Sequence, residues 1–182
     1  MISGDSIRVV HPLFQEEGDG AIPISPLQLE LSRMNINDAL LLNELWHSRL
    51  PRLTNPAGCI AYGAFFANKY YSCSIWGNPI ARGFNGRGYY ELRRMAIADD
   101  APKNTASRLI KLMRLDIKKT MPEIIKLISY QDTNVHHGTI YKASGWVVGG
   151  HRKGGKQAWT SDQRKRADCP ADGDKIRWEY DL

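Results

Sequence analysis

The sequence predicts an α/β domain, and three observations carry that expectation. Segments that alternate apolar and polar residues recur between segments of helical spacing, in the order β-α-β-β-β-α-β-α-β-β. The 182 residues are 42% hydrophobic and 24% charged, the balance of one domain that can build a core. No run of about 18 apolar residues occurs, which excludes a transmembrane helix, and the composition excludes disorder, collagen or coiled coil as whole-chain descriptions.

Residues 1–27 hold Pro12, Pro23, Pro26, Gly4, Gly18 and Gly20 and read as an irregular leader, leaving 28–182 as a single domain. Met1–Val10 has no basic stretch followed by a long apolar one, so no secretory signal is expected. Gln28–Ser32 alternates as a first strand. Asn35 or Asn37 can cap the next helix, Asp38 suits its positive end, and Ala39, Leu42, Leu45 and Trp46 give it an apolar side up to a stop before Pro51. Residues 59–66 and 69–77 read as two strands joined at Asn68. A glycine-rich loop over 78–88 precedes a long strand at 89–98. A polar turn with Pro102 leads into a helix from about Asn104 that buries Leu109, Leu112, Met113 and Leu115–Ile117 and ends before Pro122. Glu123–Tyr130 reads as a strand, Gly138–Ser144 as a short helix stopped by Gly145, and Trp146–Gly149 and Lys175–Leu182 as the last strands.

Cys59, Cys73 and Cys169 are odd in number and form no zinc spacing, which suggests reduced packing residues and a cytosolic home. The net charge is +6, unevenly spread. Residues 1–30 carry one base, Arg8, against five acids, whereas 149–166 carry Arg152, Lys153, Lys156, Arg164, Lys165 and Arg166 against Asp162 alone. That basic hairpin suits a polyanionic partner, with a solvated loop as the alternative.

Three segments are candidates for chemistry. Lys103-Asn104-Thr105-Ala106-Ser107 opens a helix after the long strand, and small residues there let a pyrophosphate approach unpaired N–H groups. Asn104 and Ser107 acting as ordinary caps is the alternative. Ser129-Tyr130-Gln131-Asp132 ends a strand, where ligands bind in open α/β sheets, and Asp132 can act as base, orienter or metal ligand. Tyr141, Gly145 and Trp146 form Y-x-x-x-G-W across the short helix.

In this combination the sequence resembles the GNAT acyltransferase superfamily. The resemblance implies a mixed, mostly antiparallel, splayed sheet flanked by helices. It also implies acyl-CoA, typically acetyl-CoA, bonded by the backbone of Met95, Ala96 and Ile97, with its pyrophosphate at Lys103–Ser107 and Tyr141 protonating the leaving thiolate. The chain departs from the usual (Q/R)-x-x-G-x-(G/A) loop, since Ala101–Ala106 holds no glycine.

Glu91-x-x-Arg94, Asn104-x-x-Ser107, Ser129-x-x-Asp132 and Gly138-x-x-Tyr141, with Trp76–Gly83 and Lys175-Ile-Arg177-Trp178-Glu179, resemble the phage and prophage Mom-like branch and its uncharacterised bacterial relatives over about 28–182. That resemblance implies modification of the exocyclic amine of DNA adenine against restriction. It implies Arg94, Ser107, Asp132 and Tyr141 as site residues, and a phage- or prophage-encoded protein in the host cytoplasm. It also implies iron, with His47 and Asp132 as ligands, although Ser48 follows His47 where the branch places tyrosine or a base. An adenine amine must be unstacked to react, so Trp76, Trp159, Tyr70 and Tyr71 are candidate stacking faces and the basic hairpin a candidate phosphate surface. The competing expectations are an N-acetyltransferase of a small-molecule or protein amine, and a binding module that kept the fold.

Overall fold

The computed structural model describes residues 22–47, 53, 55–81, 83–154 and 173–182. Seven strands are present among these: β1 (Glu30–Met34), β2 (Ile60–Phe66), β3 (Lys69–Gly77), β4 (Tyr89–Ile97), β5 (Lys126–Asp132), β6 (Val147–Arg152) and β7 (Lys175–Asp181). Three helices join them: α1 (Ile36–Trp46), α2 (Thr105–Thr120) and α3 (Thr139–Ala143). The strands form one sheet in the order β1-β2-β3-β4-β5-β7-β6. Every neighbouring pair is antiparallel except β4 and β5.

Side-chain alternation sends successive residues to opposite faces of this sheet. On one face Tyr62, Trp76, Tyr90 and Leu92 pack with Leu109, Ile110 and Met113 of α2 and with Tyr141 of α3. On the other, Ala39 and Leu40 of α1 pack on Ala61, Cys73, Ile75 and Ala96. Thus α1 covers one face, and α2 and α3 the other. Helix α2 buries Thr105, Leu109, Ile110, Met113 and Ile117, a single stripe. Leu115, expected inside, lies off that stripe and is 58% exposed.

Other expectations move by a few residues, each for a local reason. The first strand starts at Glu30 because Pro26–Gln28 forms a 3-10 turn: the Ser25 hydroxyl accepts from Leu27 N, and the Gln28 amide accepts from Ser25 N. Helix α1 stops at Trp46, where His47 turns extended. The fifth strand starts at Lys126 rather than Glu123 because Ile124 N closes a turn on Met121 O. Trp76, Tyr70 and Tyr71 are buried, so they are not faces for bases: large aromatics between a sheet and a helix supply the core. Trp146 is buried as well. Cys59 and Cys73 are free thiols, and burial pushes Cys73 up to about 12. No helix among the described residues is long and apolar enough to cross a membrane.

One polar tie holds α2 to the first two strands. Asp116 Oδ2 accepts from Arg33 Nη2 at 2.7 Å, from Arg33 Nε at 3.0 Å and from the Tyr62 hydroxyl at 2.7 Å. The Arg33 guanidinium also lies 4.4 Å from the Tyr62 ring centroid. Asp116→Ala strands a half-buried guanidinium and a phenol, and the expected loss is about 1–3 kcal/mol of unfolding free energy in urea. An unchanged urea midpoint and slope would show that the tie is idle.

Candidate active site

Strands β4 and β5 pair only where Tyr89–Leu92 faces Lys126–Ser129. Beyond this, β4 continues to Ile97 and β5 to Asp132 without pairing to each other. The separation has a cause in β4. Ile75 faces Arg94 and Trp76 faces Leu92, so Arg93 is an extra residue that bends the strand. The Ser129 hydroxyl marks the vertex of the resulting fork, donating to Leu92 O at 3.2 Å.

Tyr141 reaches this vertex from the α2–α3 face, its hydroxyl 2.8 Å from Ser129 Oγ. A carbonyl only accepts, so the serine proton is directed to Leu92 and the tyrosine supplies the proton shared between the hydroxyls. Burial pushes the Tyr141 phenol up, and the serine bond pulls it partly back. The ring stacks on Trp178 at 5.4 Å and packs against Trp146. Gly138 opens α3 at φ +71°, and a Cβ there would lie 2.5 Å from Trp178 Cζ2, so this turn requires glycine.

The same face holds a cavity of about 210 Å³ between the start of α2 and α3, lined by Ile97, Asn104, Thr105, Ala106, Ser107 and Ile140 among others. Met95 packs against the core beneath α2, Ala96 is buried on the α1 face, and Lys103 is exposed. Asn104 sits at φ 67°, in the left-handed region, and its side chain makes no cap bond. The Thr105 hydroxyl donates to Pro102 O at 2.7 Å and the Ser107 hydroxyl to Asn104 O at 3.1 Å. Asparagine is among the few residues besides glycine that adopt this conformation readily. Asn104 therefore supplies a left-handed turn before α2 without a glycine.

On the α1 face the bulge places two arginines side by side. Arg93 donates to Asn78 O at 3.1 Å and contacts Cys59 Sγ at 3.4 Å. Burial, then the charges of Arg94 and His136, hold the His47 imidazole below its usual range, which places Arg94 near the end of α1. Glu91 is buried and accepts from Ile80 N at 3.0 Å; burial pushes its carboxyl up against the pull of that bond and of Arg93, Arg94 and Lys175. Asp132 Oδ1 accepts from Asn134 N at 3.0 Å.

Alternation along β5 puts Ser129 and Tyr141 on one side of the fork and Asp132 on the other. The two candidate acid–base residues flank the opening instead of facing each other, because three positions along a strand reverse the face. Arg94 and Ser107 are separated in the same way, Arg94 toward α1 and Ser107 on the cavity.

The residues do not fit an iron site. No three His, Cys, Asp or Glu side chains gather among the described residues, and His47 lies beside a guanidinium, which repels a cation. Arg152 and Lys153 are exposed at the end of β6. Lys156, Trp159, Arg164, Lys165 and Arg166 fall outside the described residues. Sequence reading missed the roles of Ser129, Arg93 and Glu91. The signal for the pair was present as consecutive arginines in an otherwise alternating strand, where one residue too many marks a bulge.

A sheet forked at its one parallel pair, with a helix start beside the fork, defines the GNAT fold, and solved structures share it. A Bacillus subtilis acetyltransferase in complex with CoA matches with a TM-score of 0.57 at 13% identity, covering 85% of this chain and 99% of that one. An N-acetyltransferase from Staphylococcus aureus Mu50 gives 0.60 at 13% identity, covering 84% and 97%. A GNAT family acetyltransferase from Elizabethkingia anophelis with acetyl-CoA bound gives 0.56 at 15%, covering 85% and 99%. Within this superfamily the model of the Mom protein family matches residues 52–175, and the chain belongs to that family. No curated protein matches the chain.

The left-handed turn at Asn104 is directly testable. Asn104→Gly keeps the turn and is expected to change stability by less than about 0.5 kcal/mol, whereas Asn104→Val strains a β-branched residue at positive φ and costs about 1–2 kcal/mol. Chemical denaturation of both variants measures this, and equal stability of the two would remove the turn from the description of the site.

Proposed function

We propose that the chain is a transferase that uses acyl-CoA to modify the exocyclic amine of adenine in DNA. The observation that carries the reading is the sign of charge on the α1 side of the fork, where Arg93 and Arg94 stand together and Lys175 lies close to Glu91. A protonated lysine or small alkylamine is repelled there. An adenine amine is neutral and hangs from a polyanion, which the same charges attract. Membership of the Mom protein family and the CoA-bound relatives of the same fold support it.

Acyl-CoA would enter from the α2–α3 face. Its pyrophosphate would take the N–H groups opening α2 after Asn104, and its thioester would reach the vertex at Ser129. The adenine would approach from the α1 face. Its amine nitrogen forms a bond to the thioester carbonyl carbon, the carbon–sulfur bond breaks, and the electron pair leaves on sulfur. Asp132, on the acceptor side, accepts the amine proton. On the donor side the Ser129 hydroxyl turns its own proton from Leu92 O to the thiolate, and Tyr141 replaces that proton on the serine oxygen. The delocalised lone pair makes the adenine amine a weak nucleophile, so proton removal during attack is where a carboxylate helps most.

The test is nucleoside mass spectrometry of plasmid DNA from cells expressing the chain. Wild type is expected to yield an adenine nucleoside of raised mass. Asp132→Asn should abolish it with the circular dichroism spectrum unchanged, and Tyr141→Phe should slow its formation by about 10²–10⁴-fold. Unmodified DNA from wild type, together with acetylation of a small amine, would replace the reading with a general N-acetyltransferase. In calorimetry, Ser107→Glu should weaken acyl-CoA by about tenfold or more, because a carboxylate then meets the phosphates at the helix start. Undiminished affinity in a folded variant would place the donor elsewhere.

A further inference from the structure

Helix α1 packs over β2, β3 and β4, whereas α2 and α3 lie on the opposite face. Among the described residues, therefore, no helix covers β5, β7 and β6 on the α1 side. The part of this face nearer β4 is covered, since Ile128 and Glu91 are buried and Phe84 of the 78–88 loop packs on Arg177, but Tyr130 is only half-buried at its end, immediately after Ser129, the last β5 residue paired with β4. Its register partner on β7 is Arg177, which hydrogen-bonds it. That guanidinium is held in turn by Glu179 Oε1 at 2.7 Å and lies 4.8 Å from the Phe84 ring centroid. Lys175 and Arg152 oppose each other one step further along, on the face of Asp132. Of the carboxylates on this face, Glu179 is bonded to Arg177 and Lys126, Asp181 is bonded to Lys126, and Glu91 is buried, leaving Asp132 at the fork itself.

Resting on the DNA reading above, we infer that the end of this half-sheet binds single-stranded nucleic acid: the base next to the target stacks on Tyr130, and the flanking phosphates lie on Arg152 and Lys175. Arg152 and Lys175, the bases at this end that are not tied to Glu179 or Asp181, favour a polyanion. A partly exposed aromatic ring held by Arg177 selects an exposed base face, which a duplex hides between its neighbours. The position of Tyr130, one residue past the vertex, would deliver the adjacent nucleotide to the fork from the acceptor side. A target amine inside duplex stacking is out of reach there, so unpaired strand is the form that both binds and reacts.

The experiment is fluorescence anisotropy of the full chain with a short labelled single strand and with its duplex, across a series of salt concentrations. The single strand is expected to bind about tenfold or more tightly than the duplex. Tyr130→Leu should weaken it by about tenfold without changing the salt slope, and Tyr130→Phe should bind as wild type. Lys175→Ala should lower the slope of log K against log salt by about one, a readout independent of Tyr130. Duplex binding as tight as single-strand binding would overturn the inference, as would a folded Tyr130→Leu with wild-type affinity or, should that variant misfold, an unchanged slope in Lys175→Ala. Binding is read here without catalysis. An intact Tyr130 effect beside unmodified plasmid DNA would remove the transferase reading alone, and modified DNA beside an idle Tyr130 would remove the platform alone.

Discussion

The site depends on a parallel strand pair that stops after four rungs, Tyr89–Leu92 against Lys126–Ser129. Backbone groups beyond that point on β4 and β5 have no partner in each other, and an unpaired N–H or C=O near the core is costly unless something else satisfies it. Two local features hold the strands apart. The extra residue at Arg93 bends β4, and the Ser129 hydroxyl caps the vertex by bonding Leu92 O and meeting Tyr141. The same bulge sets the charge of the acceptor side, because it turns two successive arginines onto one face. Backbone irregularity and site electrostatics thus have one origin.

Much of the scaffold was legible in the sequence. Residues 69–77 and 89–97, and the apolar stripe of α2, follow periods that the sheet and its covering helix impose, so patterning located them within a residue or so. Boundaries set by side-chain bonds to the backbone were less legible. The Ser25–Gln28 capping box and the Met121–Ile124 turn displaced two strand starts. The loop before α2 holds no glycine, and its left-handed turn is made by Asn104 instead, a feature that spacing alone does not reveal.

For the candidate site residues, the sequence shows the residue types but not the side of the sheet each one takes. Asp132 and Tyr141 are both at the fork, on opposite faces, and Arg94 and Ser107 divide likewise. Spacing in sequence says how near two residues are along a strand; only register and bulges say which way they point. The aromatics illustrate the same limit. Trp76 and Tyr71 lie in the core, whereas Tyr130, in a segment chosen for its aspartate, is a ring left partly exposed beside the fork.

A site with a donor face and an acceptor face makes a demand that a single-pocket enzyme does not. On the proposed reading, acyl-CoA entering beside α2 and α3 and nucleic acid held at the end of the half-sheet must be able to occupy the protein together. The decisive measurement is the affinity for acyl-CoA by calorimetry with and without a saturating single-stranded oligonucleotide. Two-sided access predicts an affinity unchanged within about threefold, or tighter, in the presence of the strand. An apparent dissociation constant that rises in proportion to oligonucleotide concentration, the mark of competition for one pocket, would contradict it.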